Sequence, residues 1–434
     1  MRLTENDKQQ LQDLGIRTEE LFRQLSLFDK PDFYLHLQKP ATANDGIFVF
    51  NKEEQSVFAD NFKVESKNFS VAKFVPSSGA ATRMFRDLFA FLDNGYTNNN
   101  IENFFRNIKS YPFWPKLAML LPSNRVDLIR KLLTPEGLNY GYSPKAFIDF
   151  FLNDEKSFTP LYCHLAEAAD YAYNKENSVQ VHFTFSENHI EPAEKKIWNY
   201  LIELEDVYAV EYAVKLSEQH GYTNTIAVDE NNEPFRDEKG FLLFRPGGHG
   251  SLIHNLAETE ADFVFIRNID NVLPPYANSQ VVFNEKFLGG VMLQLQTDIY
   301  NALNNFNNDN FTVLAEDVAK KWQLNIYAHN KTDWYNHLNR PLRVCGMVKN
   351  EGQPGGGPFW VLDKNGNNSL QIIESSQIES ESHSEKIFKS STHFNPVDIV
   401  CCYKNHLGEY FDLEKFINHN AVFISEKSHK GKML

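Results

Sequence analysis

The stretch Phe74-Val-Pro-Ser-Ser-Gly-Ala-Ala-Thr-Arg-Met84, running on into Phe85-Arg-Asp-Leu-Phe-Ala-Phe-Leu92, decides how this chain is read. The apolar run from Val71 to Val75 reads as a short buried strand. A turn of tiny residues follows, then an amphipathic run with Met84, Leu88 and Phe91 or Leu92 at helical spacing. Strand, small-residue loop and helix start together make a phosphate site, because small residues let backbone N–H groups approach the anion and the helix N-terminus adds a favourable dipole. In that reading Ser78, Gly79 and Ala80 form the loop whose backbone meets the phosphate, and Arg83 stands where a fixed cation meets a pyrophosphate. The same small residues also suit a tight strand-to-helix crossing that binds nothing, so the loop alone leaves both readings open.

Composition narrows the ligand. A chain of 434 residues predicts two or three structural units. The net charge of -14 argues against nucleic acid or an anionic membrane as the main partner. Any phosphate-bearing partner is then a small molecule. The polar start, Met1 to Gln10, carries no apolar signal core, and no apolar run is long enough to span a bilayer, so a cytoplasmic protein is expected. Cys163, Cys345, Cys401 and Cys402 form no CxxC pair, so neither a zinc site nor a disulfide framework is expected. Cys401 and Cys402 should face opposite ways along a strand.

Residues 1–70 read as a helical cap, from the periodicity of Thr4 to Leu14 and Thr18 to Phe28. Residues 87–143 read as a mostly helical insertion. Val179 to Phe185 alternates as a strand, followed by a helix from about Glu191 to Glu205. Tyr208 to Leu216 fits either element. Phe241 to Phe244 and Phe263 to Ile266 are strand candidates, the latter ending at Asn268-Ile-Asp-Asn271. Strands alternating with helices predict an α/β fold with a largely parallel sheet. From Arg343 the texture becomes strand-rich, divided by a polar stretch, Ser375 to Ser391, that reads as an exposed loop.

Taken in order, these blocks resemble the nucleotide-sugar pyrophosphorylases, and within them the UDP-sugar branch. Ser78 to Met84 is similar to that family's Gly-rich G-x-G-T-R-[LM] loop, and Tyr142-Ser-Pro-Lys-Ala-Phe-Ile148 to its Pro-Lys block. His182 to Glu187 is similar to its strand ending in Thr-Ser. Pro246-Gly-Gly-His-Gly250 resembles its base-binding turn, and Asn268 to Asn271 its strand-end Asp-Asn. Gly355 to Trp360, Leu370 to Ile378 and Phe394 to Pro396 resemble its later Gly-Gly, L-x-E-x-x-Q and F-N blocks. The resemblance spans residues 71–403 in scattered blocks and suggests an uncharacterised bacterial branch whose members carry a domain of unknown function. Ala80 and Ala81 depart from the family's glycines, and the insertion separates the first two blocks. The expected boundaries are a cap at 1–70, a core at 71–342 and a strand-rich part at 343–434. The chain's end at Leu434, soon after the F-N block, suggests a shorter branch or a truncated chain.

The resemblance implies a Rossmann-like, GT-A-like nucleotidyltransferase fold. It further implies transfer of a sugar-1-phosphate onto a nucleoside triphosphate, expected to be UTP, with release of pyrophosphate. Arg83 and Lys145 would serve catalysis, with Arg86 the rival cation to Lys145, and Asp270 would bind Mg²⁺. Gly248, His249 and Gly250 would meet the base, while Asn271, Gly356, Glu374 and Asn395 would meet the sugar. His182, His189 and His254 read as structural, since no carboxylate–His spacing there matches a metal site. A glycosyltransferase on a related fold would need an Asp-x-Asp motif, and the sequence has no two aspartates two apart. A degenerate nucleotide-binding domain without turnover stays open as the non-enzyme alternative.

Overall fold

The apolar run of the opening stretch is a strand, Val71–Pro76 (β1), buried on both faces along nearly its whole length. The structure is a computed structural model. It describes residues 3–433 apart from 30–33, 80, 82–83, 155, 353–354, 364–365, 367, 420, 425–427 and 430–431, and omits the side chains of His249, Ser428, His429, Lys432 and Met433. The fold is mixed α/β. The chain divides into two compact units interleaved in sequence: Ala59–Glu218 with Thr259–Phe287, and Met1–Phe58 with Gln219–Glu258 and Leu288–Leu434.

The unit that contains β1 is built on parallel strands. Its helices are α1 (Arg86–Asn94), α2 (Asn99–Arg106), α3 (Trp114–Met119), α4 (Arg125–Leu133), α5 (Pro160–Ala168) and α6 (Glu187–Tyr208). Its further parallel strands are β2 (Ser178–Phe185), β3 (Glu211–Glu218) and β4 (Phe263–Ile266). The order is β4-β1-β2-β3, with Phe263 opposite Val71, Ala72 opposite Gln180 and Ser178 opposite Glu211. β1 and β4 read as near-continuous apolar runs because helices cover a parallel sheet on both faces. The undecided stretch resolves at Ala209, whose left-handed backbone (φ 52°) ends α6 two residues before β3 starts. From β1 the chain steps outward to β2 and β3, then returns with β4 on the other side of β1. The direction of winding therefore reverses between β4 and β1, where open α/β sheets take ligands at the strands' C-terminal ends.

The segment between β1 and β2 folds on itself. Phe85, Leu88, Ile101, Phe104, Phe113, Leu117, Ile129, Leu132, Leu133 and Tyr140 form one buried cluster, which Ala81 and Ile148 join from the two ends. Gly141 lies where a Cβ would stand 2.4 Å from the Phe89 ring and 2.8 Å from the Leu133 carbonyl, so glycine is needed for the close packing that returns the chain.

In the other unit the N-terminal helix Glu5–Leu14 starts with a capping box between Thr4 and Asp7. Asp7 also takes a two-pronged ion pair from Arg236, at 2.7 and 2.9 Å. The stretch read as a purely helical cap includes a strand, His36–Pro40, which pairs antiparallel with Gly357–Leu362, itself paired with Asn368–Ile373. A five-residue polar strand is hidden in sequence because only Leu37 along it is buried. The polar stretch read as a loop contains the helix His383–Lys389, capped by Ser382. Ile387 and Phe388 pack that helix on Leu37, Phe359 and Val361. Phe241 to Phe244 is not one continuous strand: Leu242 forms an isolated bridge with Arg236, and Phe244–Arg245 pairs with Thr225–Ile226.

Candidate functional site

The loop after β1 leaves the sheet in the grip of β2. Ser77 N–H donates to the Thr184 carbonyl at 3.0 Å, and its hydroxyl donates to Val75 O. The next residues meet the Pro-Lys block through the backbone: Lys145 N–H donates to Gly79 O at 3.2 Å, and Ala81 N–H donates to Ser143 O at 3.3 Å. The insertion therefore does not carry Lys145 away from the loop. It closes on its own core and delivers the lysine beside Gly79. Ser78 is half-buried, Gly79 is exposed, and a Cβ on Gly79 would meet nothing within 4 Å.

Lys145 Nζ lies 2.6 Å from Asp270 Oδ2, with both side chains about one-third exposed. Asp270 sits in the turn after β4, closed by Asn271 N–H to Asn268 O at 3.0 Å. Loop, lysine and carboxylate thus converge at the ends of β1 and β4, where the winding reverses. The rival Arg86 is 87% exposed, and its recorded ion pair is a distant one, 3.8 Å, to its neighbour Asp87. His189 braces the same corner. Its Nε2 faces the Tyr142 carbonyl at 3.1 Å, which only accepts, so the ring proton sits there and Nδ1 accepts from Ser186 Oγ at 2.7 Å.

Behind this corner lies a buried ionic cluster that the sequence reading missed. Lys73, in the middle of β1, donates to Glu167 Oε1 at 2.8 Å and to His164 O at 3.2 Å. Arg267 Nη1, one residue beyond β4, donates to both Glu167 oxygens at 3.1 and 3.2 Å and lies 3.3 Å from Glu285. Tyr171 OH donates to Glu167 at 2.8 Å. Burial pushes the Glu167 carboxyl up, but Lys73 and Arg267 outweigh it and hold the group at about 2. Burial, reinforced by Lys73, pushes the His164 imidazole well below its ordinary range, so the ring is neutral. A lysine inside an apolar strand, with an arginine just past a parallel one, was the available signal for this cluster.

The remaining expected site residues stand differently. Arg83 and Ala80 lie outside the described residues, as does the side chain of His249. Asn271 is half-buried in the Asp270 turn. Gly248 and Gly250, in the other unit, have open or ordinary space around them. Gly247 is the constrained glycine of that loop, because a Cβ there would stand 2.6 Å from Thr223 O. Three of the expected sugar contacts have structural partners of their own. Asn395 is buried and spends its side chain on backbone, donating to Gly346 O at 2.7 Å and accepting from Val397 N–H at 2.9 Å. Glu374 caps the turn Ser375–Gln377, exchanging hydrogen bonds with Gln377. Gly356 is glycine for packing, since a Cβ would stand 2.5 Å from Ile372.

A cavity of about 920 Å³ opens in that same unit beside Gly250 and Ser251. Arg17, Arg23 and Arg245 on its walls are matched by Glu20, Asp229, Glu230 and Glu414, so its charge does not select an anion. Among the described residues no cluster of three or more His, Cys, Asp or Glu has metal-holding geometry. No helix among the described residues is long and apolar enough to cross a membrane.

Fold and site define a mixed α/β protein in which four parallel strands, β4-β1-β2-β3, carry a lysine–carboxylate pair at their point of reversal. A family model described as "Domain of unknown function (DUF4301)" matches residues 4–434, and the chain belongs to that family. No curated protein matches the chain significantly. Among solved structures, UDP-glucose phosphorylase from Trypanosoma brucei is similar over 99% of this chain and 68% of its own, with 12% identity and a TM-score of 0.44.

Proposed function

We propose that this chain is a sugar-1-phosphate nucleotidyltransferase acting on UTP in the cytoplasm, on a GT-A-like arrangement of its parallel strands. The observation that carries the reading is the junction of the small-residue loop with the Pro-Lys block, which sets Lys145 between Gly79 and Asp270. In the reaction an oxygen of the sugar-1-phosphate attacks the α-phosphorus. The new P–O bond replaces the bond to the bridging oxygen, and pyrophosphate leaves with that electron pair. Both reactants are already ionised, so positioning and neutralisation of charge dominate over proton transfer. Lys145, drawn off Asp270 by a nucleotide, neutralises the α-phosphate. Gly79 leaves room for the ligand beside the loop. Asp270 would hold Mg²⁺, which when bound supplies charge neutralisation to the phosphates. The motif position of Arg83 assigns it to the outer phosphates.

One observation favours a second reading, a nucleotide-binding protein without turnover. Ala81 N–H is already engaged by Ser143 O, so one loop donor is spent within the protein. A coupled pyrophosphate-release assay with UTP, Mg²⁺ and a panel of sugar-1-phosphates separates the two. Release with at least one sugar supports transfer. UTP binding with no release from any of them supports the second reading.

A further inference from the structure

We infer that His164 is the positioning residue for Asp270: its imidazole fixes the backbone of the turn that aims the carboxylate at Lys145. The functional consequence rests on the site reading above. His164 lies on α5, fully buried, and its Nε2 stands 3.1 Å from Asn268 O and 3.2 Å from Ile269 O. Both partners are carbonyls, which only accept, so the ring's proton is on Nε2. Nδ1 has no hydrogen-bond partner among the described atoms, and burial beside Lys73 and Arg267 keeps the ring neutral. One N–H thus serves two successive carbonyls immediately before Asp270. The same α5 turn is tied to β1 by Lys73, which donates to the His164 carbonyl at 3.2 Å. A single buried residue therefore couples the strand feeding the small-residue loop to the turn presenting the carboxylate.

A glutamine places its amide nitrogen where Nε2 stands, whereas an asparagine places its nitrogen nearer Nδ1 and offers the carbonyls nothing. The test compares His164→Gln and His164→Asn by amide hydrogen exchange across residues 263–273, with Tyr171→Phe as control. Tyr171→Phe removes a hydroxyl from the same buried cluster without touching the turn. Exchange of amides 268–272 should rise about tenfold or more in His164→Asn, stay near wild type in His164→Gln, and be unchanged in Tyr171→Phe. Equal exchange in the Asn and Gln variants, or equal acceleration in Tyr171→Phe, would overturn the inference. Titration with UTP and Mg²⁺ should show affinity falling in His164→Asn alone. A wild-type protein that binds no nucleotide while the exchange pattern holds would refute the site reading and leave the positioning role standing.

Discussion

Glu167→Gln should destabilise the protein by about 3–5 kcal/mol, the usual cost of breaking a buried ion pair by removing one partner. The glutamate oxygens receive Lys73 at 2.8 Å, Arg267 at 3.1 and 3.2 Å and Tyr171 at 2.8 Å, in a cluster almost sealed from water. An amide leaves two cations facing each other, with Glu285 beside Arg267. The titration gives a matching figure. A carboxyl held at about 2 against an ordinary 4.5 corresponds to roughly 3 kcal/mol at neutral pH. Against a typical total of about 5–15 kcal/mol this is a large fraction, and it should lower the melting temperature by roughly 3–5 °C. The folded-state value is depressed, so the contribution is complete above pH 4.5 and is lost as pH falls toward 2. Urea unfolding of wild type and variant at pH 7, 5 and 3.5 measures it. The stability gap should be equal at pH 7 and 5 and smaller at pH 3.5. A gap under about 1 kcal/mol at pH 7, or one that widens in acid, would refute the reasoning.

Three further outcomes are expected. Asp270→Asn should keep the wild-type melting temperature, because the side chain is exposed at a turn, while Mg²⁺-dependent turnover falls by about 10²-fold or more; near-normal turnover would remove Asp270 from the site. Gly141→Ala should cost about 1–3 kcal/mol in denaturant unfolding, because its Cβ meets Phe89 and the Leu133 carbonyl; Gly79→Ala, which meets nothing, should be neutral in stability and weaken nucleotide binding. Wild-type stability should fall as pH drops below about 6.5, since His164 is neutral in the fold and gains its proton only on unfolding; the decline should be shallower in His164→Gln.

The strand, loop and helix around Gly79 were legible because each leaves a local mark: an apolar run, a cluster of small residues, a helical period. Asp270 was legible as a polar residue just past an apolar strand. The adjacency of Lys145 to Gly79 was not readable by spacing, because it depends on the segment between them closing on its own core. Motif order carried it instead. Lys73 escaped notice because one cation hardly interrupts an apolar run, and its partner Glu167 is nearly a hundred residues away, on α5. Glu374 and Asn395 were not decidable for a related reason. Polar residues after strands look alike in sequence, whether they face a ligand or cap their own turns, and here the local backbone claims both side chains.

Calorimetric titration of UTP with Mg²⁺ into wild type, Lys145→Ala and Arg86→Ala tests the central claim most directly. Wild type and Arg86→Ala should bind alike, and Lys145→Ala should bind at least about tenfold more weakly, since it loses the cation set between Gly79 and Asp270. Equal affinity in wild type and Lys145→Ala, or loss on Arg86→Ala instead, would contradict the account.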